Sequence, residues 1–174
     1  KEPEVAQKIL KRISGLDYPP DKLDVKLLLE SDDTVTYQEL TKAKLPPNFT
    51  IQRVPDAQPK TKPRACNFGL HEAKGEFCVI YDAEDIPDPD QLKKAFLVFR
   101  HDTSGKLACV QAKLNYYNSR QNWLTRFFTV EYTTYFDLVL AGWQRFNIPL
   151  PLGGTSNHFR TEILRRAGGW DPFN

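Results

Sequence analysis

Apolar positions recur along the chain in two rhythms that take turns. Val5, Ile9, Leu10 and Ile13 share one side of a helical repeat and predict an amphipathic helix over 4–16, ended by Gly15 and the prolines Pro19 and Pro20. An apolar run over 25–30 then predicts a buried strand that stops on Glu30, Ser31, Asp32 and Asp33. A helix over 34–44 follows, with Asp32 or Asp33 as its cap, then a turn at Pro46 and Pro47 and a loosely alternating strand over 49–54. A polar, proline-bearing loop over 56–63 leads to a helix over 64–73, closed by Gly75. Next come a strand at 77–81 and a helix over 90–100 with Leu92, Ala95, Phe96 and Phe99 on one face. A strand over 107–116, a long aromatic-faced helix over 122–140, a loop over 142–154 and a short helix over 161–167 complete the order. Strands alternating with helices predict βαβ units: an α/β fold class with a mostly parallel sheet flanked by helices.

The chemistry concentrates where one of these rhythms breaks. The run Phe77, Cys78, Val79, Ile80, Tyr81 reads as a strand buried on both faces, and it ends abruptly on Asp82, Glu84 and Asp85. Ligands of parallel sheets bind beyond the carboxyl ends of the strands. Asp82 and Glu84 are two residues apart, so in extended chain they point to one side and can share a hard cation. Pro87 and Pro89 forbid further strand, and Asp88 can cap the helix that follows. A solvated acidic turn remains open on these residues alone. An EF-hand loop counted from Asp82 does not fit, because Ile86, Pro87 and Lys93 fall where that loop needs an oxygen ligand, glycine and glutamate.

Composition narrows the classes. The 174 residues make one domain with a real core, and a net charge of +2 implies no broad nucleic-acid surface. No run approaches the roughly 18 apolar residues of a membrane span. Cys66, Cys78 and Cys109 are far apart and read as buried free thiols, and His71, His101 and His158 lack the spacing of a zinc site.

Several stretches, in this order, resemble the family 2 glycosyltransferases of the cellulose-synthase-like, processive and inverting type. They are KPRACNFGL at 62–70, YDAEDIPDPDQL at 81–92, QAKLNYYN at 111–118, RFFTVEY at 126–132, and LGGTSNHFR at 152–160 leading to GGWDPFN. The resemblance implies a single GT-A, Rossmann-like domain over 1–174, with a nucleotide-binding part at about 1–90 and an acceptor-side part at about 106–174. It implies a UDP-sugar donor, a glycan acceptor and Mg2+ or Mn2+ as cofactor. Asp82 and Glu84 stand at the DxD metal motif, with Asp85 a possible third ligand. Glu30 matches the residue that reads the base, Lys62 a lysine near the diphosphate, Asn67 a residue that orients this loop, and Gln111 a residue near the donor sugar. Glu131 and Tyr132 resemble the acceptor border, and Gly154, Thr155, Asn157 and His158 the loop at the acceptor end. Plainer roles stay open: a solvated lysine at 62, a helix cap at Asn67, an edge-of-strand polar group at Gln111 and a structural histidine at 158.

The departures carry expectations of their own. The family's DDGS pattern is altered to Glu30, Ser31, Asp32 and Asp33. Its TED motif, which supplies the general base, follows GGWDPxN and so is expected beyond Asn174. A first strand ahead of Lys1, a QxxRW motif and flanking membrane helices are expected of the parent protein, which the resemblance places at the cytoplasmic face of the plasma membrane. The fold is therefore expected to be truncated at both ends, with an exposed sheet edge through which the fragment self-associates. Two other functions compete. One is a non-catalytic nucleotide-binding module. The other is a sugar nucleotidyltransferase, which would ordinarily carry a glycine-rich, basic phosphate loop that is not visible here.

Overall fold

The computed structural model describes residues 3–173, with side chains from Gln7 onward; the expected contribution of Val5 to the first helix lies outside the described side chains. The elements are α1 (Pro3–Ser14), β1 (Val25–Glu30), α2 (Thr34–Lys42), β2 (Phe49–Val54), α3 (Lys62–His71), β3 (Phe77–Val79), α4 (Gln91–His101), β4 (Cys109–Gln111), α5 (Trp123–Thr134), α6 (Leu140–Arg145), β5 (Asn157–Arg160) and α7 (Thr161–Arg166). A π-helical turn, Tyr135–Val139, joins α5 to α6, so the expected long helix is present but wider in its middle. Of the two candidate caps for α2, Asp33 is the one used: its carboxylate accepts the Thr36 N–H at 3.1 Å.

β1 and β2 form a parallel pair in register from Val25 opposite Phe49 to Glu30 opposite Val54, joined through α2 as a βαβ unit. The second sheet has the order β3-β5-β4, and β5 runs antiparallel to both neighbours. The α/β class therefore stands, with β5 as a reversed strand in the mostly parallel arrangement expected. β5 falls in a stretch with no apolar signal. Ser156, Asn157 and His158 are buried at 4–5% exposure, yet they read from sequence as loop. The strands predicted at 77–81 and 107–116 shrink to three residues each, because only these oppose β5.

Side chains from the helices close the two sheets. Leu29 and Leu40 pack with Leu10, Leu27, Tyr37 and Ile51. Ile13, Leu16 and Phe49 gather Val25, Tyr81 and Leu92 around the end of α1. Leu70, Phe159 and Leu164 hold the second sheet against α3 and α7. Among the described residues no ladder joins β1 to β3, and a cavity of about 1430 Å³ is lined by all of β1, residues 75–84, Gly69, Leu70, Ala95 and Phe99. β3 is half-buried, where its composition predicts burial on both faces.

Leu40 is 2% exposed, so Leu40→Ala is expected to lower the unfolding free energy by about 2–4 kcal/mol. Val35→Ala, at a position 58% exposed on the same helix, should stay within about 0.5 kcal/mol. Urea midpoints at unchanged slope read both.

Candidate functional site

Four pieces of chain converge beyond the carboxyl ends of β1 and β3: Glu30, the loop 82–85, the first turn of α3 and the loop 153–156. α3 begins earlier than its sequence predicts. Thr61 is extended, Pro63 sits in the first turn, and Lys62 is the first helical residue rather than the end of a loop.

The acidic loop is built on Asp85. The Asp85 N–H donates to the Asp82 carbonyl at 3.0 Å, and the Asp85 carboxylate accepts the Asp82 N–H at 2.7 Å. The same carboxylate oxygen accepts the hydroxyl of Thr155, which also lies 3.2 Å from the Ile80 carbonyl. Arg12, reaching from α1, donates to the carbonyls of Glu84 at 2.7 Å and Asp85 at 2.9 Å. A second clasp joins the Asp17 N–H to the Pro89 carbonyl at 2.7 Å. Tyr81 donates to Gln91, and burial, with the Asp85 charge adding, pushes its phenol pKa well above the usual range. These bonds fix where the Asp82 and Glu84 carboxylates leave the backbone.

Cations meet both acidic strand ends, and both come from α3. The Lys62 ammonium pairs with the Asp82 carboxylate and donates to the Gly154 carbonyl at 2.6 Å. Arg64 pairs with Glu30 at 3.0 Å and donates to the Pro55 carbonyl at 2.8 Å. Sequence reasoning singled out Glu30 and missed Arg64. Its place at the start of the predicted helix, two residues after Lys62, was the available signal.

The other expected site residues fall into three groups. Asn67 does not cap a helix: its amide donates to the Trp170 carbonyl at 2.7 Å and accepts the Trp170 N–H at 2.9 Å, holding the segment 169–172 against α3. That contact demands Gly169, at φ 76°, where a Cβ would come 2.3 Å from the Asn67 Oδ1. Gln111 ends β4 opposite Asn157, and a Cβ on Gly153 would sit 3.4 Å from its amide nitrogen.

In the second group, Gly154 is exposed and offers its carbonyl to Lys62, while Thr155, Asn157 and His158 are engaged inside the fold. Asn157 donates to the Gly153 carbonyl, and His158 Nδ1 lies 3.1 Å from the Val110 carbonyl. Ser156 takes a left-handed φ of 56°, rare for a non-glycine residue, and this turn aims the 153–154 backbone at Lys62. Third, Glu131 and Tyr132 lie on α5. Glu131 is exposed, Tyr132 packs at 4.8 Å on Tyr116, and no hydrogen bond, ion pair or ring contact joins them to the acidic loop among the described residues.

Among the described residues no group of three His, Cys, Asp or Glu side chains is placed to hold a metal ion. The two carboxylates at 82 and 84 nonetheless fit one kind of ion. Mg2+ is ordinarily held by one or two carboxylates with substrate phosphates and water completing the shell.

Acidic strand ends facing a helix-borne lysine thus lie where an α/β protein places its ligand. The model of the family described as glycosyltransferase like family 2 matches residues 1–174, so the chain belongs to that family. It is 28% identical over 172 residues to the probable glycosyltransferase YdaM of Bacillus subtilis, covering 96% of this chain and 40% of that protein. It is 26% identical over 178 residues to glucomannan 4-beta-mannosyltransferase 1 of rice, Oryza sativa, covering 97% of this chain and 33% of the relative. The chain thus spans well under half the length of these relatives.

Two solved structures share the fold. The mannosyltransferase PcManGT of Pyrobaculum calidifontis, in complex with GDP-Man and Mn2+, superposes with a TM-score of 0.69 at 21% identity, covering 99% of this chain and 45% of that one. TarS 1-349 of S. aureus, in complex with UDP-GlcNAc, superposes at 0.58 and 17%, covering 96% and 44%. The GT-A type of α/β fold is therefore the fold of this chain.

Burial holds the His158 pKa below 6.5, so the unfolded chain binds more protons than the folded one as pH falls through that value. Stability should therefore drop on acidification from about pH 7 to pH 5, and His158→Gln should flatten that slope. Urea unfolding of both proteins across that range measures it.

Proposed function

We propose that the chain forms the donor-binding part of a glycosyltransferase. The reaction is transfer of a sugar from a UDP-sugar to a hydroxyl of a glycan acceptor, with inversion at the transferred carbon. The observation that carries this reading is the junction of Lys62, Asp82 and the Gly154 carbonyl beyond β3, where an α/β protein places a ligand. Glu30, oriented by Arg64, serves the base end of the nucleotide. Lys62 supplies a point charge to the diphosphate. Asp82 and Glu84 hold Mg2+ or Mn2+, while Asp85 acts as the frame of that loop. When bound, such an ion neutralises charge that builds on the departing diphosphate.

Gln111 borders the donor sugar, and Gly154, Thr155, Asn157 and His158 form the loop at the acceptor end, the last three as its buried frame. Glu131 and Tyr132 mark the acceptor side on α5. No residue of 1–174 is given the role of general base.

The names of the relatives favour a second donor. A protein similar to glucomannan mannosyltransferases, with the fold of an enzyme complexed with GDP-Man, is also readable as taking GDP-mannose. We also place the whole protein at the cytoplasmic face of the plasma membrane. Among the described residues no helix is long and apolar enough to cross it, but Trp123, Phe127 and Val130 expose 60–76% of their surface along α5, at positions suited to a lipid interface.

Calorimetric titration of UDP and of GDP, each with Mn2+ and again with EDTA, decides between the donors and tests the donor site itself. Metal-dependent binding of one nucleotide, weakened at least about tenfold by Asp82→Ala, is expected. Folded protein that binds neither nucleotide would refute the reading.

A further inference from the structure

The ion pair at the centre of this site has a consequence for the order in which its ligands arrive. Lys62 is the first residue of α3, a ten-residue helix, so its ammonium stands against the like-signed end of the helix dipole. Only a nearby anion offsets that placement, and the anion present is the Asp82 carboxylate. Of the two partners, Asp82 is the fixed one. Its N–H is bound by Asp85, Asp85 is bound by Thr155, and Arg12 grips the carbonyls of Glu84 and Asp85. Lys62 ends on a flexible four-carbon stem whose side chain is 41% exposed. Apart from Asp82 the ammonium is held by one carbonyl, that of Gly154, so the lysine can swing away where the aspartate backbone cannot.

A divalent ion that arrives alone must displace Lys62 from Asp82. It then finds no cluster of three protein ligands among the described residues. An ion that arrives with a diphosphate brings its own oxygens, and the same phosphates give the displaced ammonium a stronger acceptor.

We propose that Lys62 is a built-in counter-cation that holds Asp82 closed to bare divalent ions, so that metal enters together with a nucleoside diphosphate and Lys62 passes from Asp82 to the phosphates. This rests on the donor-site reading above and adds to it an order of binding and a second role for the lysine. The two roles have opposite signs in one variant. Removing the charge frees Asp82 for a bare ion but deprives the diphosphate of its partner.

The test titrates Mn2+ alone, followed by the electron paramagnetic resonance of the free ion, into the unaltered chain, Lys62→Gln and Lys62→Arg. Mn2+ with UDP and with GDP is then titrated into the same proteins and into Asp82→Ala. Lys62→Gln should bind bare Mn2+ roughly two- to fivefold more tightly, the scale of a half-exposed ion pair. It should bind the Mn2+–nucleotide pair about tenfold or more weakly, and Lys62→Arg should follow the unaltered chain in bare Mn2+. Bare Mn2+ binding that is unchanged or weaker in Lys62→Gln, or equally tightened in Lys62→Arg, overturns the inference. Nucleotide binding untouched by Asp82→Ala overturns the donor-site reading instead, so the two failures are told apart.

Discussion

The geometry of the site depends on the insertion of β5 between β3 and β4. The ladder continues past the strand at both ends: Ser156 N–H donates to the Ile80 carbonyl at 2.8 Å, and Thr161 N–H to the Glu76 carbonyl at 3.0 Å. On the other side Ala112 N–H reaches the Ser156 carbonyl at 3.0 Å and Arg160 N–H the Ala108 carbonyl at 3.0 Å. Backbone bonds on both edges allow a strand of polar residues to sit in a sheet centre, since buried polar groups are tolerated when paired. The same ladder fixes the residues just before it. Thr155 is thereby set against Asp85, and the Gly154 carbonyl against Lys62.

From this anchor the electrostatics follow a simple plan. The first turn of α3 answers two acidic strand ends at once, Lys62 turning to Asp82 and Arg64 to Glu30. Partly exposed pairs of this kind contribute about 0–1 kcal/mol each, so their effect on stability is small. What they set is position. Two cations two residues apart span the acidic ends of two separate sheets, and the helix that carries them is tied at its far side by Asn67 and Trp170.

Much of this was legible in the chain. The run ending at Asp82, the second acidic end at Glu30 and the alternation of strands with helices are local signals, and each survives in the structure. β5 was not legible, because its strand character comes from neighbours 46 to 83 residues away in sequence, with Gln111 opposite Asn157 and Phe77 opposite Arg160. Asp85 and Arg12 escaped for the same reason. An aspartate that binds a backbone N–H three residues back and a hydroxyl 70 residues on looks, in sequence, like one more candidate ligand. Asn67 read as a loop-orienting residue or a cap, and only the fold shows that it holds Trp170.

The charged junction of the site is also a joint. Lys62 travels with the helix packed on β1, and Asp82 leaves the end of β3, so their ion pair bridges two sheets. The Asp17 N–H bond to the Pro89 carbonyl and the hold of Arg12 on the carbonyls of Glu84 and Asp85 tie α1 to the same acidic loop. The groups that present charge to a ligand are thus among those that fasten one half of the molecule to the other.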